Sequence, residues 1–469
     1  MRYRSKSKIH RLLIRILFLF FSIACILSEN IQIKELSLYS TVLCIMLMIL
    51  AYCEKKRILS EYTIILAFII LFHFGQSIIY IFEPTRYLPV FSEFSEECVI
   101  KALKYSMICL QVFDVVFSFY YPAVENKVKY TGKSSQSYLD AGDFISKILL
   151  VILTPIVMLS LVLKTVFSLK YGYMNLYSYN GVGYTESAVM PYIQNLFIIV
   201  CVLRITSSSF DKKKSKMPLL LMLSYSILMF LVGSRSGMLS VLLPVLLIYS
   251  TKIKQNAKEE KGKIVLLAIL LVVGSVFMSY FRLITEKNSV GFTESVDYVI
   301  DNNPLSTMMI EMGGTLKPVI YCTEIFSGSE SFKLGMSYLA SVFLLIPNMG
   351  NFFGAIHPAA KLANLSQWLM DYKHLSHGPG FSIIAESYYN FGGFGWIIFI
   401  IWAIIFCKIL GSPDKQNEER NFISYAAMTL FFSLIRGSTC DFLRMFVYEV
   451  IFLNVIIKIF AGTMYEKRK

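Results

Sequence analysis

Apolar runs alternate with short polar segments along almost the whole chain. About twelve can be drawn, near 12–28, 36–53, 63–82, 104–121, 145–168, 189–205, 217–233, 238–250, 263–281, 392–410, 421–436 and 442–461. Most approach the ~20 residues that carry a helix across a bilayer. In hydrocarbon every backbone N–H and C=O must be satisfied within the segment, so such runs are read as helices. The expected fold is an all-α polytopic membrane protein with about 12 transmembrane helices and one large loop. The shortest run, 238–250, is accepted because of its flanks. Residues 206–216 and 251–263 are both lysine-rich, so an even number of crossings must separate them.

The polar segments alternate in charge, which orients the helices. Segments 1–11, 54–61, 122–144, 206–216, 251–263, 411–420 and 462–469 are assigned to the cytoplasm, and all but 411–420 carry a Lys/Arg excess or a lysine cluster. Cytoplasmic loops attract basic residues, so both termini are expected inside. Segments 29–35, 83–103, 169–188, 234–237, 282–391 and 437–441 then face outward. The chain divides into 1–281 with nine helices, a large external loop 282–391, and 392–469 with three helices and a tail. The N-terminal run lacks a small-x-small cleavage site and reads as a retained first helix rather than a signal peptide. The expected location is a membrane that the chain crosses many times.

Composition agrees. The 469 residues are 56% hydrophobic and 16% charged, with mean hydropathy +0.60, against roughly 25% charged in a soluble domain. The net charge of +14 would suggest nucleic acid in a soluble protein. Here the lysines are dispersed among loops, where they serve topology and anionic lipid, and no nucleic-acid partner is expected. The nine cysteines show no CxxC or Cys/His spacing and read as small apolar fillers.

Against the lysine alternation, Arg235, Arg282, Arg436 and Arg444 sit at the outer ends of apolar runs. Ionisable groups at membrane depth are candidates for function. In LVGSRSGMLS (231–240) the glycines permit a tight turn before a helix start, where anions are favoured. Arg235 there can make bidentate bonds to phosphate oxygens; the plainer reading is an arginine snorkelling to the headgroups. Arg436 and Arg444 bracket an outer turn containing Asp441, which can pair with one of them. Segment 169–188 holds Tyr177, Tyr179 and Tyr184 among Gly, Asn and Ser, a surface suited to sugar rings or to an interfacial aromatic belt. In the big loop, 334–353 is apolar enough to lie along or dip into the outer leaflet. His377 and Glu386, in HLSHGPGFSIIAESYYNFGGFG (374–395), are suited to acid–base work. The His374-x-x-His377 pair lacks the HExxH spacing. No metal and no cofactor are expected.

The ordered set GSRSG, EMGGTLKPVI, GMSYLASVFLLIPN, HGPGFSIIAESYYNFGGFG and RGSTCDFLR resembles the bacterial Wzy-type O-antigen and capsular polysaccharide polymerases. The resemblance implies a helical bundle similar to C-type glycosyltransferases. It also implies a reaction: undecaprenyl-pyrophosphate-linked oligosaccharide repeat units are joined at the outer face, and lipid pyrophosphate leaves. A flippase and a chain-length regulator would be partners. The related O-antigen ligases have a similar His-to-Glu run, though with Asn where this chain has Gly378. Arg235, Arg282, Arg436 and Arg444 would hold the pyrophosphate, His377 is the first choice as base, and Glu386 the second. The alternatives are an O-antigen ligase using the same donor, and a non-enzymatic lipid-linked oligosaccharide flippase or transporter. Charges clustered at one face, beside a long loop, favour chemistry over transport.

Overall fold

A computed structural model describes residues 2–28, 30–55, 60–127, 135–171, 189–232, 234–252, 303–328, 330–346, 358–375, 378–411 and 417–466. Among them every regular element is helical. The helices are α1 (Arg2–Leu27), α2 (Ile33–Lys55), α3 (Glu61–Phe82), the short α4 (Pro89–Glu93), α5 (Glu96–Lys127), α6 (Gln136–Tyr171), α7 (Met190–Ser207), α8 (Lys212–Val232) and α9 (Arg235–Lys252). After the segment beyond α9 come α10 (Pro304–Gly313), α11 (Lys317–Ile325), α12 (Met336–Phe343), α13 (Pro358–Ala363), α14 (Leu365–Lys373), α15 (Ile383–Phe391), α16 (Ile397–Leu410) and α17 (Glu418–Ile435). The last rod is α18 (Thr439–Met445), a π-helical turn over Phe446–Ile451, and α19 (Phe452–Glu466).

Each apolar run that falls within the described residues is covered by helix; the run 263–281 lies outside them. Among the described residues, seven helical stretches are long and apolar enough to cross a membrane, Ile383–Leu410 and Thr439–Thr463 included. The chain is therefore a multi-pass membrane protein, helical throughout its described residues. Along α6, Val151, Leu159, Leu163 and Val166 are exposed, the outward apolar surface that lipid covers and water would not.

The helices pack into two compact units, each gathered from separate stretches of chain. The first comprises Met1–Lys127, Met309–Gly411 and Phe431–Arg444. Its core is a run of aromatic contacts. Tyr62 stacks on Phe117, with ring centroids 4.5 Å apart, and Phe113 meets Phe406 edge-on at 5.6 Å. Phe406 packs on Phe431, and Phe431 stacks on Phe442 at 5.4 Å. Such pairs contribute about 0.5–1.5 kcal/mol each beyond area burial, and this series fixes α18 against α5 and α16. Elsewhere in the unit, α3 and α10 touch backbone to backbone. A Cβ on Gly75 would overlap Met309 O, and one on Gly313 would overlap Gln76 N. Gln76 completes the junction, donating to Ile310 O (2.8 Å) and accepting from Val90 N (2.8 Å).

The same unit buries an ionic cluster. Arg15, inside the apolar run of α1, donates to Asp114 (2.7 Å) and Glu54 (3.2 Å), and Tyr62 donates its hydroxyl to Asp114. The Arg15 and Asp114 side chains are almost wholly buried. A charge at this depth persists only when paired, so the cluster pins α1, α2, α3 and α5 to one rotation.

The second unit comprises Val128–Met308, Ser412–Leu430 and Met445–Lys469. Its helices are joined by polar contacts: Arg204 with Asp143, Ser168 Oγ donating to Val232 O (2.8 Å), and Tyr138 donating to Asn454 Oδ1 (2.8 Å).

Candidate functional site

The site is a turn at the entry to α18 and the three segments that hold it. Residues Arg436, Gly437 and Ser438 link α17 to α18. A Cβ on Gly437 would overlap the Ser433 carbonyl oxygen and lie 3.1 Å from Asp441 Oδ2, so no larger residue fits without shifting the turn. Ser438 then caps α18. Its N–H and hydroxyl both donate to Asp441 Oδ2 (3.2 and 2.9 Å), and its Oγ accepts the Asp441 N–H (3.4 Å). Ser-Thr-Cys-Asp is thus a reciprocal capping box. In the fold Ser438 engages Asp441, and the Arg444 charge, one of the two offered as its partner by the sequence, also acts on it.

The next N–H of the helix, that of Thr439, goes to a distant partner. Glu386 Oε2 accepts the Thr439 N–H (2.7 Å) and the Thr439 hydroxyl (2.8 Å), while Oε1 accepts the Ser337 hydroxyl (2.8 Å). Asn390, one turn beyond Glu386 in α15, donates to Ser337 Oγ (2.7 Å) and to the Glu386 carbonyl (2.8 Å). Glu386, Ser337 and Asn390 are completely buried. One carboxylate therefore joins α12, α15 and α18. A carboxylate also suits the first turn of α18, where the helix dipole favours negative charge.

Arg436 is exposed and makes no ion pair among the described residues. Its carbonyl faces Gly380, which adopts φ +72°. Arg444 lies half-buried near the far end of α18. At 1.5 Å per residue it stands roughly 7–8 Å along the axis from Thr439. These two arginines belong to one unit and bracket one helix. Arg235 belongs to the other unit, where it is the first residue of α9; Ser234 precedes it and caps the helix by accepting the Gly237 N–H (3.3 Å). His374 ends α14 in a left-handed conformation, φ 52°, and is exposed. Arg282, His377, Tyr177, Tyr179 and Tyr184 lie outside the described residues, as does the side chain of Arg235.

Three features went unnoticed in the sequence. The partners Ser337 and Thr439 are ordinary hydroxyl residues and carry no signal of their own. Arg15 and Asp114 did carry one, as lone charges inside apolar runs. So did Glu449, in FVYEVIFLN. It is buried in the π-helical turn, and neither carboxylate oxygen has a partner among the described residues. π-bulges inside α-helices are frequently found at functional sites.

The family model described as O-antigen polysaccharide polymerase Wzy matches residues 11–468. Protein CapE of Staphylococcus aureus is 29% identical over 172 residues, covering 37% of this chain and 35% of CapE. The chain thus matches about a third of the length of that curated relative. No solved structure matches the chain.

Proposed function

Because the chain belongs to the O-antigen polysaccharide polymerase Wzy family, whose members polymerise polysaccharide repeat units, we propose that it joins undecaprenyl-pyrophosphate-linked repeat units at the outer face of the bacterial cytoplasmic membrane. In this reading about twelve helices cross the bilayer, both termini are cytoplasmic, and residues 282–391 lie outside. The lysine alternation supports that topology. A flippase supplies the substrate and a chain-length regulator sets the product.

The acceptor sugar of the incoming unit presents a hydroxyl to the anomeric carbon of the growing chain. The new C–O bond forms as the bond to pyrophosphate breaks, and the electron pair leaves on a phosphate oxygen. The hydroxyl proton passes to the His377 imidazole. Negative charge grows on the leaving group, so preorganised cations lower the barrier. Arg436 and Arg444 supply them from the two ends of α18, with Arg235 and Arg282 as further contributors. Tyr177, Tyr179 and Tyr184 offer flat faces to the sugars. Glu386, whose oxygens already receive three hydrogen bonds inside the fold, acts as a positioning residue for the arginine turn.

The observation that carries this reading is an exposed Arg436 on a turn locked by a capping box and a buried carboxylate. Its test uses purified protein in nanodiscs with a lipid-linked repeat unit, read as a ladder on a gel. A bond from arginine to phosphate contributes about 1.5–3 kcal/mol, so Arg436→Ala should slow growth about tenfold to a few hundredfold. Arg436→Lys should recover part of the rate, lacking the planar fork. A wild-type rate for Arg436→Ala at normal expression would remove Arg436 from the site.

A further inference from the structure

One carboxyl at membrane depth takes no part in the site above. Glu449 lies near the middle of the 25-residue span Thr439–Thr463 and is 4% exposed. Neither of its oxygens has a hydrogen-bond partner among the described residues. The titratable groups on the elements packed against it are Tyr192, Cys201 and Arg204 of α7 and, along its own rod, Arg444, Tyr448 and Lys458. None of them supplies it with a charge. A bare carboxylate so placed is among the costliest groups a membrane protein can hold, and such a group takes up a proton instead.

The backbone at Glu449 is unusual too. Phe446–Ile451 form a π-helical turn, and the Phe452 N–H donates to the Val447 carbonyl five residues back. Outward of the turn, Met445 meets Asn195 of α7, whose Nδ2 lies 3.1 Å from the thioether sulfur, a weak acceptor. Inward, the rod keeps one buried face. Glu449, Val450, Leu453, Asn454 and Ile457 are buried, whereas Phe452, Val455 and Ile459 are 44–62% exposed. Asn454 therefore stands on the same side as Glu449, roughly 6–8 Å further along the axis. There the apolar core gives way to a hydrogen-bonded file. Asn454 Oδ1 accepts the Tyr138 hydroxyl of α6 (2.8 Å), and Asn454 Nδ2 donates to Glu419 Oε1 of α17 (3.3 Å). Lys458 Nζ pairs with that same oxygen at 2.7 Å. The Glu419 and Lys458 side chains are 25% and 53% exposed, so the file reaches water. All of these residues belong to the second unit.

We propose that Glu449 is a proton-binding site within the membrane, in exchange with the exposed end of this file. A proton enters at Glu419, passes Tyr138 and Asn454, which hold water in line, and crosses the last turn to Glu449. The carboxylate and the proton give the neutral acid, and nothing else is consumed. Loss of the proton leaves a lone charge among apolar side chains. The packing of the rod on α7 therefore responds to the proton concentration on the side where Glu419 and Lys458 emerge.

The test uses infrared difference spectra of the full chain in nanodiscs. The C=O stretch of a protonated carboxylic acid should appear at neutral pH in wild type minus Glu449→Gln, and should shift on exchange into D2O. Asn454→Leu and Tyr138→Phe leave Glu449 in place; each should slow that isotope shift about tenfold, the effect of one lost hydrogen bond on a barrier. A second measurement needs no variant. Dicyclohexylcarbodiimide, which attacks protonated carboxyls in apolar surroundings, should label Glu449 of the unaltered chain, read by mass spectrometry, with no protection by sodium or potassium ions. No acid band, no labelling, or an isotope shift as fast in both file variants as in wild type would overturn the proposal. Protection by either ion would overturn it as well and make the site one for a cation. None of these readings needs turnover, so they judge the proton site apart from the polymerase reading.

Discussion

Replacing Glu386 separates a positioning role from an acid–base role by magnitude. In Glu386→Gln the side chain keeps its volume. Its one oxygen can still accept the Thr439 N–H, and its amide can donate to Ser337 Oγ. That oxygen already accepts from Asn390 Nδ2 (2.7 Å) and has a second lone pair free. The Ser337 and Thr439 hydroxyls then lose a charged acceptor but can rotate. The net cost should be about 1–2 kcal/mol. Glu386→Ala is harsher, because the Thr439 N–H cannot rotate and stays buried without a partner. That donor alone costs about 1–3 kcal/mol, and the emptied space adds to it, giving roughly 2–4 kcal/mol. Thermal unfolding in nanodiscs should rank wild type above Glu386→Gln and Glu386→Ala last. Polymer growth by Glu386→Gln should fall less than about tenfold, since the arginine turn shifts only slightly. Loss of a general base costs ~10²–10⁴-fold, and an amide cannot take a proton. A Glu386→Gln protein with wild-type stability and that larger loss would refute the positioning argument and make Glu386 the base.

His377→Ala should collapse the ladder to the single repeat unit while leaving lipid-linked donor binding intact, since the arginines hold the pyrophosphate; a normal ladder would remove the base from this segment. Single cysteines at Ser329 and Lys258 should label from outside and only after permeabilisation, respectively; the reverse pattern would invert the topology. Glu449→Leu should raise the unfolding temperature, because burying a polar group without a partner costs about 1–3 kcal/mol. Lost polymerisation without a gain in stability would mean that the carboxylate meets a partner during turnover.

The positions of the helices were legible from one dimension. An apolar run near the thickness of a bilayer has no stable alternative to a helix, and α2, α3, α7 and α9 begin and end within a few residues of the runs that announce them, while α6 begins nine residues before its run. Arg436 and Arg444 were legible for a related reason, as charges where the hydropathy pattern allows few. Glu386 stood out beside a histidine, but its partners did not. Ser337 and Thr439 lie 49 and 53 residues away along the chain, and Arg15 lies 99 residues from Asp114. Hydropathy records how deep a residue sits in its own helix and nothing of the helix's rotation or its neighbours. Those are set by packing: the aromatic series from Tyr62 to Phe442, the Gly75–Gly313 crossing, and the capping box that aims α18. By itself the sequence determined that the chain is a membrane-embedded bundle with cationic helix ends. Only the tertiary structure decided that a buried carboxylate would join α12, α15 and α18, because a buried charge takes whichever donors the packed helices bring within reach.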